Sequence, residues 1–207
     1  MEALEVLKLW DITHTDIKPD NILIGFERKL VLKLCDFGNS HPGSNVPILK
    51  RDYPVQPPKC RAPGVTLQGT WDCSIDIWSL GCVMYEMFAF KPIFGFNNDE
   101  VRFQRMVKLI GPPKSVIGNP KVFEQKFWTL PKTGVYHLKV VENHEDVHFQ
   151  TAITFEKMKV NPQRLQLDKK SNDLKNNFVD LLTKIFVWDP EERITPEDAK
   201  KHDFFFR

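Results

Sequence analysis

The sequence predicts a mainly α-helical fold carrying one small β-hairpin. Three observations support this. Ser74 to Phe90 is apolar on nearly every side (Ile75, Ile77, Trp78, Leu80, Val83, Met84, Met87, Phe88), the mark of a buried central helix. Two further stretches, Asn98–Ile110 and Leu174–Val187, have helical spacing. Only one pair of short apolar runs, Ile22–Gly25 and Leu30–Cys35, lies close enough across Phe-Glu-Arg-Lys to read as a hairpin.

Taken in order, residues 1–10 (MEALEVLKLW) read as the last turns of an amphipathic helix, with Leu4 and Leu7 on one face and Trp10 a third candidate for it. The loop DITHTDIKPDN leads into the hairpin. Asp36 to Pro63 is rich in Pro, Gly, Asn and Ser, so it reads as a long irregular segment. The helix over Ser74–Phe90 follows, then the one over Asn98–Ile110, which Gly111-Pro112-Pro113 stops. Residues 111–170 give mixed signals, loops with short regular pieces. The helix near Leu174–Val187 and a short one over Pro196–Lys201 close the chain. No internal repeat or low-complexity tract interrupts it.

At 207 residues the chain can bury roughly 70% of its unfolded surface without a disulfide or metal staple. Its net charge of +2, with both signs interspersed, argues against a dedicated nucleic-acid or membrane-surface binder. Cys35, Cys60, Cys73 and Cys82 have neither C-x-x-C nor zinc-ligand spacing and read as reduced thiols. The longest apolar stretch, Ile75 to Phe90, is broken by Asp76 and Glu86 and is too short for a bilayer. Glu-Ala-Leu-Glu after Met1 is not a signal peptide, so the expected compartment is intracellular, nuclear or cytoplasmic.

The chemistry concentrates in His14-Thr15-Asp16-Ile17-Lys18-Pro19-Asp20-Asn21 and Asp36-Phe37-Gly38, eight fixed positions in two loops flanking the hairpin. A polar turn and a surface carboxylate would account for either piece alone, but not for both in register. Together they resemble the catalytic loop H-R-D-x-K-P-x-N and the metal-binding D-F-G of eukaryotic protein kinases. Arg61-Ala62-Pro63 resembles the A-P-E that closes the activation segment, Asp76-Ile77-Trp78-Ser79-Leu80-Gly81 the central helix, and Arg193 the late arginine of that family.

The resemblance runs the length of the chain. It implies a C-terminal kinase lobe over residues 1–207: catalytic loop 14–21, D-F-G 36–38, activation segment 36–64, central helix 74–90 and an insertion at 111–170 of the CMGC type. Within that group the chain is most similar to the pre-mRNA-processing, LAMMER and SR-protein kinases, on Thr15 in place of arginine, the phrase LKLCDFGNSH and the long insertion. The implied activity is ATP-dependent serine/threonine phosphorylation, with Mg²⁺ as the metal. Asp16 would accept the proton of the substrate hydroxyl and Lys18 would neutralise the transferring phosphoryl group. Asn21 and Asp36 would hold Mg²⁺ as hard oxygen ligands. Leu23, with Val83 and Met87, would belong to the apolar stack beneath the adenine, and His14 and Phe37 to the stack aligning the metal site. The implied partner is a protein substrate, with the splicing machinery as one source, and the insertion is a docking candidate.

Four departures qualify the resemblance. No glycine-rich phosphate loop, V-A-I-K lysine or partner glutamate precedes Trp10, so the N-lobe sheet is expected to be missing and the isolated chain to transfer phosphate inefficiently. Gly64, twelve residues before Asp76, replaces the A-P-E glutamate that would pair with Arg193, and Asp72 is the candidate substitute. Val55-Gln56-Pro57-Pro58-Lys59-Cys60 replaces the stretch where relatives place a Ser or Thr near the catalytic Asp and Lys. Tyr53 is the only phosphorylatable side chain between Ser44 and Thr66, and Thr15 removes the arginine that would read a phosphate there. These departures also fit a pseudokinase or kinase-lobe binding module. A metal hydrolase built on His14, Asp16 and Asp36 would need more ligands than the sequence clusters.

Overall fold

The structure is a computed structural model that describes residues 1–27, 29–42, 55–95, 98–129, 132, 134, 136–139 and 169–206. Helix α1 (Glu2–Leu9) buries Leu4 and Leu7. It ends at Trp10, whose backbone leaves the helix, so Trp10 is 69% exposed and does not join their face. Ion pairs Lys8–Glu197 and Glu5–Lys200 tie α1 to the last helix.

The strands explain how two loops distant in sequence meet. β1 (Ile12–Thr13) pairs antiparallel with β4 (His41–Pro42), while β2 (Ile22–Glu27) pairs with β3 (Lys29–Leu34) in register Ile22↔Leu34 to Glu27↔Lys29. The loop 14–21 joins β1 to β2, and the loop 35–40 joins β3 to β4. Pairing outer with outer and inner with inner strands makes the two loops neighbours. The hairpin face formed by Ile24, Phe26, Leu30 and Leu32 is apolar and exposed.

Helix α2 (Pro63–Thr66) is one short turn, and α3 (Ser74–Ala89) is the centre of the core. Trp78 is wholly buried, stacked on Phe94 at 5.2 Å and edge-on to Phe186 at 5.0 Å. Burial covers Ile75 to Tyr85, whereas Met87 and Phe88 near the C-terminus are exposed. Phe90 lies beyond the helix as its left-handed cap (φ 55°). Gly81 faces α6 (Lys169–Ile185). A Cβ there would stand 2.6 Å from Ile185 Cγ2, so glycine sets how closely the two helices approach.

Helix α4 (Asp99–Ile110) starts where the Asn98 side chain accepts the Glu100 N–H, and it stops at Gly111 (φ 77°). Residues 111–170, expected as loops with short regular pieces, hold α5 (Pro120–Lys126) and a hairpin of β5 (Phe127–Thr129) and β6 (Tyr136–Leu138), a second hairpin beyond the single one the sequence predicts. These elements pack a second aromatic cluster from Phe103, Phe123, Phe127, Tyr136 and Trp188. The Trp188 indole N–H donates to Gly111 O at 2.8 Å, pinning the start of the insertion to the core. Its charged stretch with Glu142, Glu145 and Asp146 lies outside the described residues, as does Tyr53. α6 buries Val179, Leu181, Leu182 and Ile185, and α7 (Pro196–Lys200) is capped by Thr195. All four cysteines are free thiols. No described helix is long and apolar enough to cross a membrane.

Candidate active site

Asp76, in the first turn of α3 and 2% exposed, holds the loop 14–21 from below. Its Oδ2 accepts the His14 N–H at 2.6 Å and its Oδ1 the Thr15 N–H at 3.0 Å. Burial pushes this carboxyl up to about 7, against the pull of the two amide bonds. Thr15 has φ 67°, a strained value for a β-branched residue. Three neighbours hold it there. Asp76 takes its N–H, Gln56 N–H donates to its carbonyl at 2.9 Å, and its own hydroxyl donates to Asn39 O at 2.7 Å.

That strained turn presents Asp16. Its Oδ2 accepts Lys18 Nζ at 2.9 Å and Asn21 Nδ2 at 3.0 Å, and Asn21 Nδ2 also donates to the Asp16 carbonyl at 2.8 Å. The hydrogen bond to Asp16, with that carboxylate's charge, raises the Lys18 ammonium above its ordinary value and keeps it cationic. Both described bonds to the Asp16 carboxylate fall on one oxygen, Oδ2. Pro19 opens a 3₁₀ turn over Pro19–Asn21 that fixes Asn21 behind Asp16.

His14 is fully buried. Its Nε2 donates to Cys35 O at 3.0 Å and its Nδ1 accepts the Asp16 N–H at 3.3 Å, which defines a neutral ring. Burial lowers its pKa accordingly. The ring sits 4.8 Å from Phe37, so His14 packs and positions. Cys35 N–H bonds Asn21 O at 3.0 Å, which ties the residue before Asp36 to the end of the loop 14–21. Asp36 is exposed at φ 63°. Leu23 is exposed at 54%, Met87 is exposed, and Val83 is buried.

Among the described residues no group of three or more His, Cys, Asp or Glu could hold a metal unaided. Mg²⁺ takes one or two protein oxygens and completes its octahedron with phosphate and water. The Asn21 amide, whose nitrogen is committed to Asp16 so that its oxygen remains, and the Asp36 carboxylate fit that demand.

The turn over residues 56–62 is anchored by Gln56, which is 5% exposed. Its Nε2 donates to Ile75 O at 2.8 Å and Ser79 Oγ at 2.7 Å, and its Oε1 accepts the Ala62 N–H at 3.0 Å. Its carbonyl accepts Arg61 Nε and Nη2 at 3.2 and 2.9 Å. Gln56 has φ 64° although a proline follows, and a residue before proline ordinarily sits in extended backbone. Nothing in the sequence signalled this residue.

Asp72 does not replace the glutamate missing at Gly64. Its Oδ1 accepts the Ser74 N–H, and among the described residues no carboxylate lies within ion-pair distance of Arg193. Arg193 instead donates to Ser74 O, Val187 O and Trp188 O and lies 5.1 Å above the Trp78 ring. Burial lowers its pKa to about 10, and Asp72 opposes that shift only through its charge. The space beside Gly64 is open.

The structure thus brings Asp16, Lys18 and Asn21 into contact, ties the residue before Asp36 to Asn21, and leaves Leu23 exposed on β2. A family model for the protein kinase domain matches residues 1–205. The chain is 28% identical over 207 residues to the serine/threonine-protein kinase ppk5 of Schizosaccharomyces pombe, covering 99% of this chain and 22% of that protein. It is 29% identical over 217 residues to the serine/threonine-protein kinase prp4 of the same yeast, covering 99% of this chain and 43% of prp4. It is 31% identical over 208 residues to dyrk2 of Dictyostelium discoideum, described as a probable serine/threonine-protein kinase, covering 100% and 21%. The chain therefore spans less than half the length of these curated relatives.

Proposed function

The chain belongs to the protein kinase family, and on that premise we propose that it forms the phosphate-transferring lobe of a serine/threonine kinase. The observation that carries this reading is the shared contact of Lys18 Nζ and Asn21 Nδ2 on one oxygen of Asp16. Asp16 Oδ1 takes the proton of the acceptor hydroxyl. Lys18 remains protonated and places a positive charge where the transferring phosphoryl group gains negative charge. Asn21 Oδ1 and the Asp36 carboxylate are the ligand atoms for Mg²⁺, which when bound with ATP neutralises phosphate charge. The acceptor is a protein hydroxyl. A substrate in the splicing machinery and a nuclear or cytoplasmic setting belong to the same proposal, on the resemblance of Thr15 and the phrase LKLCDFGNSH to the pre-mRNA-processing kinases. The half-open cavity of about 430 Å³ between the start of the insertion (Pro112, Ile117) and the end of α6 (Phe186, Trp188) supports docking of a partner on the 111–170 region.

A second reading, a kinase lobe acting as a binding module, is favoured by Gly64 and by the Pro57-Pro58 pair. For residues 1–207 in isolation, the exposed Leu23, Phe37 and Asp36 support inefficient transfer, since nucleotide sites normally bury most of the ligand. Thermal unfolding of the endogenous full-length protein with and without Mg²⁺-ATP separates the readings. The kinase reading expects Mg²⁺-dependent stabilisation by ATP, reduced at least about tenfold in apparent affinity by Asn21→Ala or Asp36→Ala. No stabilisation at saturating Mg²⁺-ATP would leave the binding-module reading in place.

A further inference from the structure

Gln56 concentrates more bonds than any motif residue of the site, and none of the motifs includes it. Its side chain reaches the first turns of α3 through Ile75 O and Ser79 Oγ. The Ser79 hydroxyl passes the contact on to Cys60 O at 2.9 Å. Its Oε1 meets the Ala62 N–H, and its carbonyl meets the Arg61 guanidinium, so the turn over 56–62 closes on itself around this one residue. Its N–H points to the loop 14–21 instead, donating to the carbonyl of Thr15.

That last bond completes the suspension of the Thr15 peptide. Asp76 on α3 holds the N–H side, and Gln56, itself fixed to α3, holds the carbonyl side. The next residue in the chain is Asp16. Thr15 and Gln56 both have positive φ, at 67° and 64°, so each is strained and each needs the other's bond to persist. The prolines at 57 and 58 have no N–H to offer, which leaves Gln56 as the donor that the turn supplies to the loop. A buried amide with every polar atom bonded has one favourable rotamer, and shortening it or removing its polar atoms strands several partners at once.

The geometry points to Gln56 as a positioning residue that fastens the end of the activation segment to the catalytic loop and thereby sets the direction of the Asp16 carboxylate. The inference rests on the kinase reading for its consequence in catalysis, but the fastening itself is independent of activity. A residue that merely filled space would be replaced without loss by Met, which matches its length but cannot make its amide hydrogen bonds. A positioning residue would not.

The test uses the full-length protein with Gln56→Met and Gln56→Ala, read by two measurements. Hydrogen exchange in the native state should show the amides of position 56, which donates to Thr15 O, and of Ala62 exchanging about tenfold faster in both variants, the loss expected for a buried bond, with α6 unchanged. Steady-state phosphotransfer should show kcat falling about tenfold or more and KM for ATP within about twofold of wild type. Unchanged protection of the position-56 amide in Gln56→Met overturns the inference whether or not the protein transfers phosphate. Altered protection with kcat preserved overturns it as well, because the fastening would then not aim Asp16. Lost protection in the variants, beside a wild type that transfers no phosphate, would retain the fastening and overturn the kinase reading instead.

Discussion

Asp76 shows how one buried carboxylate can govern a site it never enters. Its two oxygens are used up by the His14 and Thr15 amides, so its task is to hold backbone, and Asp16 and Lys18 are the paired groups of this loop available to the proposed transfer. Its carboxyl stands at about 7 in the folded protein and near 3.9 in the unfolded chain. Between those values the folded state holds a proton that the unfolded state has lost. This residue's favourable contribution is therefore complete below about pH 4 and disappears as pH rises through 7, at up to about 1.4 kcal/mol per pH unit. Urea unfolding of wild type and Asp76→Asn at pH 5 and pH 8 should show the wild type losing more stability with rising pH than the variant. Equal losses would mean that the two amide bonds outweigh burial and keep Asp76 ionised throughout. Much of this was legible in the sequence, because Asp16, Lys18, Asn21, Asp36 and Asp76 stand in motifs with fixed spacing. Gln56 was not, because a long polar residue before two prolines reads as exposed and extended, and only tertiary contacts show it buried with positive φ.

At the scale of elements, the central helix was readable because a segment apolar on all sides must be enclosed by the rest of the chain, and Ile75 to Tyr85 are buried accordingly. Its end was misread by one residue, since Phe90 continues the apolar pattern while its backbone turns left-handed. Short regular pieces were expected over residues 111–170 but could not be identified from sequence: α5 and the β5–β6 hairpin are held by aromatic contacts with α4 and Trp188, which no local period reveals. Helix packing yields a paired prediction. Gly81→Ala gains helix propensity worth about 0.5–1 kcal/mol but forces a Cβ to 2.6 Å from Ile185 Cγ2, an overpacking cost of about 1–3 kcal/mol. The cost should win and lower Tm by about 2–4 °C or more. Gly64→Ala, in a helical turn with open space around it, should leave Tm unchanged or slightly raised. A Gly81→Ala protein as stable as wild type would show that α6 yields to α3 more easily than this packing implies.

Across the whole molecule, strand pairing and the central helix accomplish one thing together. Outer strands β1 and β4 and inner strands β2 and β3 bring loops 14–21 and 35–40 side by side, and α3 fixes the first of them through Asp76. The apolar hairpin face and the exposed Leu23 belong to the hairpin whose first strand, β2, leaves directly from Asn21. What remained illegible from sequence at this scale is the fate of the buried cation Arg193: with glycine at position 64, backbone carbonyls and the Trp78 ring replace a carboxylate, a solution that spacing does not encode. The central claim is that this arrangement aims Asp16 at an acceptor hydroxyl. The most direct measurement is transfer of radiolabelled γ-phosphate from Mg²⁺-ATP to protein serine and threonine by the purified full-length protein, wild type against Asp16→Asn. The wild type should transfer phosphate, and the variant should lose about 100-fold or more in kcat with its unfolding temperature nearly unchanged. Equal transfer by both proteins, or none by a folded wild type, would contradict that claim.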